Sequence, residues 1–292
     1  MLFSYIKYSL ILVCFAAGIQ YSVFAQKQKP VPFRIILSSS MFQNAKPEDV
    51  EAATRILANE LNKESTNLPD YQIEVCNNSS ELQANLKTDF DLLYISPIEY
   101  LQLKKKFSIE PALVTETRNS FGDVYYLITN KSDNINELKD LKNKNINILS
   151  NNEEQSATLW LEKILRDNNL PNRNSFFKKI VYDNKPTNIV LPVYFKKTNA
   201  AIITSASYDL LSELNPQIKN QIQILVISKP FIRAIFCFDG RNKDEKRKKF
   251  LNDYMSQIHK GTYGRQITEL YMVDKLIAFK KEYLDNILDL YK

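Results

Sequence analysis

Histidine occurs once in the 292 residues, tryptophan once, cysteine three times and glycine five times. Each scarcity excludes a class of chemistry. The single histidine, His259, has no Ser or Cys motif around it, so a nucleophile–base pair has no candidate. One histidine and so few cysteines fall short of a zinc ligand set. Neither GxGxxG nor GxxxxGK[ST] is present, which removes nucleotide-phosphate loops. After the first 25 residues no apolar run approaches the ~18 residues of a membrane span. Charge of one sign is also missing in any long block. The 39 Lys and Arg are interleaved with 33 Asp and Glu. Even the densest cluster, Arg241 to Lys249, contains Asp244 and Glu245, the pattern of a solvated helix face rather than a nucleic-acid surface. These absences leave no metal, no cofactor, no nucleic-acid partner and no catalytic residue to expect.

What is present begins with an export signal. Lys7 is the only charge in the first 25 residues, Leu10 to Ala17 are apolar, and Val23-Phe24-Ala25 is a small-residue cleavage site. Residues 1–25 therefore read as a signal peptide, with Gln26 opening the mature chain. Cys14 has no small residues before it and does not read as a lipidation site. Cys76 and Cys237 remain, both in apolar strand-like runs. A disulfide, if the fold brings them close, and two buried thiols are both open.

The chain then alternates strand and helix signals. Phe33–Leu37, Tyr71–Cys76 and Phe90–Ile95 read as strands, and helices are expected after each. The first opens at Pro47 with Glu48 and Asp49 and carries Val50, Ala53, Leu57 and Leu61 on one face. Pro111–Val114 and Val124–Thr129 follow as two strands without a helix between them. A second alternating run contains Ile146–Leu149, Phe176–Tyr182, Ala200–Thr204 and Ile222–Ile227. Phe231–Phe238 is a further strand, and everything after Lys243 reads as helix, ending in Val273–Tyr291. Such alternation demands two mostly parallel sheets flanked by helices. The expected division is 26–130 for the first part of lobe 1, 131–229 for an inserted lobe 2, and 230–292 for the mostly helical remainder of lobe 1. Two crossings, near Asn130 and Ser228, then make a hinge.

Ligands of open α/β sheets sit outside the carboxyl ends of strands. The loops expected there are Ser38–Phe42, Ser96–Tyr100, Asn151–Thr158, Asp183–Pro186 and Ser205–Tyr208. The most informative is the switch from strand to helix between Asn145 and Leu165. A helix opening near Ser156 presents unpaired N–H groups, and Ser156 and Thr158 add hydroxyls. Ordinary helix capping is the other reading of that turn. Glu153 and Glu154 precede it and would favour a cationic or zwitterionic ligand if they face the cleft. Candidate ligand-binding residues are Ser39, Ser40, Tyr94, Ser96, Tyr100, Tyr125, Gln155, Ser156, Thr158, Lys185 and Ser205. The tyrosines, Tyr208 among them, are candidates for stacking or hydrogen bonding or for plain core packing, and Lys185 for pairing with an anion.

Two segments carry a resemblance. FDLLYISPIEYLQL (Phe90–Leu103) has Asp91, Pro97 and Tyr100, and VYYLITNKSDNINELKDLKNKNI (Val124–Ile146) has Tyr125, Asp140-Leu141 and Lys144. In order and spacing the chain resembles the periplasmic substrate-binding proteins of ABC importers, of the phosphate/phosphite/phosphonate-binding type. That resemblance implies a two-lobed periplasmic-binding-protein type II fold in the α/β class, with a C-terminal helical segment packed on lobe 1. It also implies a monomer that is not an enzyme. Its partners would be a small ligand and a membrane permease, or a receptor kinase if the protein is a sensor. Where the family carries Ser-Thr-Ser-Gly at the second-lobe helix start, this chain has Gln155-Ser156-Ala157-Thr158. Asn184-Lys185 stand near the family's Gly-His, and Asn199 stands for its Asp. The expected function is capture of a phosphonate- or phosphate-like oxyanion, or a related zwitterion, between the lobes. A binding fold that has lost its ligand is the alternative.

Overall fold

The computed structural model describes residues 31–42, 47–64, 70–117, 120–150, 156–270 and 273–292. The expected signal peptide, Glu153, Glu154 and Gln155 lie outside the described residues. Along the chain, β1 (Phe33–Ser38) is followed by α1 (Pro47–Glu64), β2 (Tyr71–Cys76), α2 (Ser79–Asn85), β3 (Leu92–Ile95), α3 (Pro97–Leu103) and β4 (Ile109–Glu116). Next come β5 (Tyr125–Asn130), β6 (Asn145–Leu149), α4 (Ser156–Asp167), α5 (Arg173–Phe176), β7 (Lys179–Asp183) and α6 (Pro186–Tyr194). They are followed by β8 (Ala200–Thr204), α7 (Ser205–Leu214), α8 (Gln217–Gln221) and β9 (Ile222–Ile227). The chain continues through β10 (Ile235–Asp239), α9 (Glu245–Gln257), α10 (Thr262–Leu270), β11 (Lys275–Ala278) and α11 (Asp285–Asp289).

Local chemistry explains several of these boundaries. Pro47 occupies the first position of α1, where its missing N–H costs nothing, and Glu48 and Asp49 sit at the positive helix end. Ser96 caps α3 in a capping box with Glu99. Ile36, Leu93 and Ile95 are fully buried, as central strands flanked on both faces require.

The strands form two sheets, in the orders β11-β4-β10-β3-β1-β2 and β7-β6-β8-β5-β9. Each is mixed. In the first, β1 pairs in parallel with β2 and β3, while β10 and β11 run antiparallel to their neighbours. In the second, β6 pairs in parallel with β7 and β8, and β5 is antiparallel to β8 and β9.

Three expectations change. Strand β5 belongs to the second sheet, so the chain leaves the first sheet after Glu116 rather than near Asn130. Its antiparallel register on β8, Tyr125 opposite Thr204 through Thr129 opposite Ala200, leaves Leu127 and Ile128 fully buried. The strand expected at Phe231–Phe238 is regular only from Ile235; Phe231 makes an isolated bridge to Asp123. The helix expected over Val273–Tyr291 is interrupted, because Lys275–Ala278 pairs with the open edge of β4. Val273 and Leu276 have helical spacing, but ladder bonds to a distant strand override local pattern.

Residues after β11 reach the second sheet's helices. Leu284, Ile287 and Leu290 are buried in one cluster with Trp160 and Leu161 of α4. The Arg166 guanidinium donates to the Leu290 carbonyl at 3.4 Å, and the Lys163 ammonium lies 3.3 Å from the Asp289 carboxylate. The Asn286 amide donates to the Pro230 carbonyl at 2.8 Å, and Tyr283 stacks on Phe121 at 4.3 Å. This segment thus touches α4 and both crossings between the sheets. Inside the first lobe, an apolar cavity of about 160 Å³ lies between the sheet face bearing Ile35, Leu37 and Phe236 and helix residues Thr54, Leu251 and Met255.

Cys76 lies on β2 and Cys237 on β10, with β1 and β3 between them. Three strand spacings amount to about 14 Å, twice the reach of a disulfide. Both are buried free thiols, and burial pushes both above the ordinary thiol range. In a thiol-reagent assay, Cys76 and Cys237 should stay unmodified in the native protein and both react in denaturant. Replacing Ile287 by Ala should cost about 2–5 kcal/mol in a denaturant titration, since it opens a cavity in this junction.

Candidate functional site

In the first sheet the chain passes from β1 outward to β2, then returns to β3 on the other side of β1. The carboxyl ends of β1 and β3 therefore flank a switch-point crevice, where open α/β sheets bind ligands. The second sheet repeats the device: β7 and β8 lie on opposite sides of β6, so its crevice opens between the ends of β6 and β8.

The first crevice is occupied by protein. The Glu99 carboxylate accepts the Ser38 hydroxyl at 2.6 Å and the Ser40 hydroxyl at 2.8 Å. It also accepts the Ser96 hydroxyl and the Ser96 N–H, both at 2.9 Å. Glu99 in turn donates its own N–H to the Ser96 hydroxyl at 3.2 Å. Ser39 turns aside, and its hydroxyl donates to the Asn77 carbonyl at 3.1 Å.

The second crevice has a different character. Helix α4 starts at Ser156, which is half-buried. Two residues on, within the first turn, Thr158 is fully buried and its hydroxyl has no hydrogen-bond partner. A buried polar atom without a partner is rare and calls for a cause. On the neighbouring strand, Thr204 caps α7 by accepting the Ser207 N–H at 3.3 Å, and the Ser205 N–H donates to the Val124 carbonyl at 2.7 Å. At the end of β7, Asp183 accepts the Lys185 N–H at 2.8 Å and the Asn188 amide at 3.0 Å. These donors hold its carboxyl below the usual range, while the Lys185 side chain is exposed.

Between the two crevices runs the hinge. Asp123 bridges Phe231 through both backbone bonds, N to O at 2.8 and 2.9 Å. The Arg233 guanidinium grips the Asp123 carboxylate with Nε at 3.1 Å and Nη2 at 2.6 Å. That carboxylate lifts the Arg233 pKa further above its ordinary value. Tyr125 stands beside the pair, its ring 6.2 Å from Trp160 and 6.0 Å from Phe231. Burial first, and then Asp123, push its hydroxyl well above the usual phenol range.

Of the expected site residues, Ser40 and Ser96 meet at Glu99, Ser156 and Thr158 share the first turn of α4, and Tyr125 lies at the hinge. Tyr94 and Tyr100 are placed in the core. The first stacks on Phe236 at 4.5 Å, and the second is 7% exposed, with its ring 6.4 Å from that of Phe279. Tyr208 is also core, edge-on to Tyr126. Ser205 sits at the start of α7 and Lys185 at the cap of α6. Gln155 lies outside the described residues. The residues that sequence reading missed are Glu99, Asp123 and Arg233. Glu99 carried a signal, the Ser-x-x-Glu spacing of a capping box. The other two, 110 positions apart, carried none.

Two mixed sheets with helices on their faces, a switch-point crevice in each and two crossing segments define the two-lobed solute-binding class. The sequence matches, over residues 40–284, the family described as the periplasmic substrate-binding protein of the phosphonate ABC transporter. The chain belongs to that family. It is a periplasmic protein that binds a small ligand for the membrane permease of an ABC importer, and the family is not catalytic. No curated protein matches the chain in sequence.

Solved structures show the same fold. XAC2383 from Xanthomonas citri, bound to ATP, is 14% identical with a TM-score of 0.61, over 88% of this chain and 94% of that one. PhnD1 from Prochlorococcus marinus, in complex with methylphosphonate, is 16% identical with a TM-score of 0.61, over 88% and 96%. A binding component of a phosphonate ABC transporter from Pseudomonas aeruginosa, PA3383, is 14% identical with a TM-score of 0.61, over 89% and 85%.

Replacing Asp123 by Asn should leave Arg233 in the hinge without its counter-charge and cost about 1–3 kcal/mol in chemical denaturation, between the values for exposed and buried pairs, since both side chains are partly exposed. A paired Asp123→Leu, Arg233→Met change should cost less than the single change. The Asp183 effect has the usual carboxylate sign. Its stabilisation is present above the unfolded pKa of about 3.9 and is lost as pH falls through the lower folded value. An NMR titration of the Asp183 carboxyl should place its midpoint below that value.

Proposed function

We propose that the ligand is a phosphonate- or phosphate-like oxyanion whose charged head is gripped from the second lobe, by the first turn of α4. The observation that supports this most directly is the buried, unpartnered hydroxyl of Thr158 at a helix start in a family that binds phosphonates. The N–H groups of that turn and the positive helix end favour negative charge, and Ser156 supplies a second hydroxyl. Tyr125 forms the floor between the lobes and Lys185 the cationic rim. Ser205, at the start of α7, belongs to the same crevice.

In this reading the first lobe comprises residues 33–116 and 235–280, and the second comprises residues 125–227 together with the segment that packs on α4. Closure about the two crossings encloses the head group, and the permease reads the closed form. No bond in the ligand is made or broken.

The reading is tested by calorimetric titration of the purified protein with methylphosphonate, 2-aminoethylphosphonate, phosphite and phosphate. A bound ligand at 100 times its dissociation constant should also raise stability by about 2.7 kcal/mol, a shift of several degrees. Thr158→Val is the discriminating variant. It removes a buried hydroxyl that has no partner, so the ligand-free protein should be as stable as the parent or more so. Loss of one hydrogen bond to a charged ligand should weaken binding about 10-fold or more. A valine variant that binds as tightly as the parent would move the head group away from α4. Failure of the parent to bind any of the four compounds would favour a lobe pair that has lost its ligand.

A further inference from the structure

The two crevices are alike in topology and opposite in chemistry. In the second, a hydroxyl is left over. In the first, the donors converge on a charge the protein itself supplies. A serine hydroxyl carries one proton. Ser38, Ser40 and Ser96 all place theirs within reach of the Glu99 carboxylate, at 2.6, 2.8 and 2.9 Å. Ser38 and Ser40 are also 2.9 Å from each other, so either arrangement keeps both protons inside the cluster. The Ser96 N–H is spent on the same carboxylate. What this wall offers a ligand is lone pairs and a negative charge.

The cluster is held firmly. Ser38 ends β1, and Ser96 ends the loop after β3, with β1 and β3 paired from Ile35–Leu92 to Leu37–Tyr94. Glu99 is anchored at the third position of α3 by the reciprocal bonds of its capping box. Its carboxylate therefore cannot swing away to release three hydroxyls without losing the cap. The nearest cation in the hinge, Arg233, is committed to Asp123 through two bonds.

We infer that Glu99 sets specificity, by occupying the oxyanion position of the first lobe so that only the uncharged or donor-bearing end of a ligand can face it. This rests on the proposed grip of the head group by α4. The ligand class that fits is a singly substituted phosphonate. Three oxygens meet the second lobe and the carbon substituent meets Glu99. Inorganic phosphate keeps a P–OH at neutral pH that Glu99 can accept, whereas sulfate presents a fourth, unprotonated oxygen in place of that substituent. On closure this oxygen meets a carboxylate and three hydroxyls whose protons are already taken.

The test compares the parent with Glu99→Gln. Glutamine suits the third helix position and keeps the side-chain carbonyl that accepts from Ser96, so the fold is retained. It removes the charge and adds two donors. Methylphosphonate and sulfate are titrated calorimetrically against both proteins, and thermal unfolding is recorded. The parent should prefer methylphosphonate at least 10-fold. In the variant, sulfate affinity should rise about 10-fold relative to that for methylphosphonate.

An unchanged preference, with or without a fall in melting temperature, would reduce Glu99 to a helix cap and overturn the inference. An equal change for both ligands would overturn it as well, because it would show a general field rather than an excluded position. A parent that binds methylphosphonate only through Thr158, as the valine variant reports, yet ignores Glu99→Gln, separates failure here from failure of the proposed grip. Gain of sulfate binding by the variant alone, from a parent that binds neither compound, would still support the excluded position.

Discussion

The arrangement of the two lobes depends on the contact between their two crossing strands. Asp123 and Phe231 exchange backbone hydrogen bonds, and Arg233 closes a fork on the Asp123 carboxylate. The strands approach so closely that a Cβ on Gly122 would lie 2.0 Å from the Phe231 carbonyl oxygen. Only glycine fits there, one of five in a chain that otherwise avoids it. A hinge built on a steric contact and a charge pair has a defined axis. The rings of Tyr125, Phe231 and Trp160 pack together beside the pair, which stays partly open to solvent.

About this axis the protein places two copies of one topological device, and their difference carries the function. Parallel strands flanking β1 and β6 produce a crevice in each lobe as a matter of chain order. Which crevice accepts an anion is then decided by where protons are available. Helix α4 leaves a threonine hydroxyl unused, whereas α3 brings a carboxylate that uses three serines. The strand order does not dictate that asymmetry; single side chains at the first turns of two helices do.

Much of this was legible in the sequence. Buried strands such as Phe33–Ser38 and Ala200–Thr204 are short apolar runs bounded by polar turns, and they form where the pattern places them. Proline at the start of α1 and Ser-Pro before α3 mark helix starts through geometry that any chain shares. The reading was weaker where pairing is between distant residues. Lys275–Ala278 has no local feature that outweighs helical spacing, and becomes a strand because β4 has an open edge. Tyr125–Asn130 looks the same whichever sheet receives it. Tyr94 on β3 and Tyr100 on α3 flank the expected loop, but the direction of a ring follows from its backbone position and the packing around it. Glu99 was visible as a cap and invisible as a charge at a binding wall, since its partners Ser38 and Ser40 are about sixty positions away.

The contact of residues 283–290 with α4 has a bearing on how the protein assembles. Arg166 and Leu290 are 124 positions apart. The second lobe's sheet can pair from nearby segments, yet the apolar side of α4 that holds Trp160 stays uncovered until that distant stretch arrives. A chain that crosses a membrane unfolded emerges in order, so α4 waits with one side unpacked while more than a hundred residues follow the helix. Closing so long a loop is slow compared with local pairing.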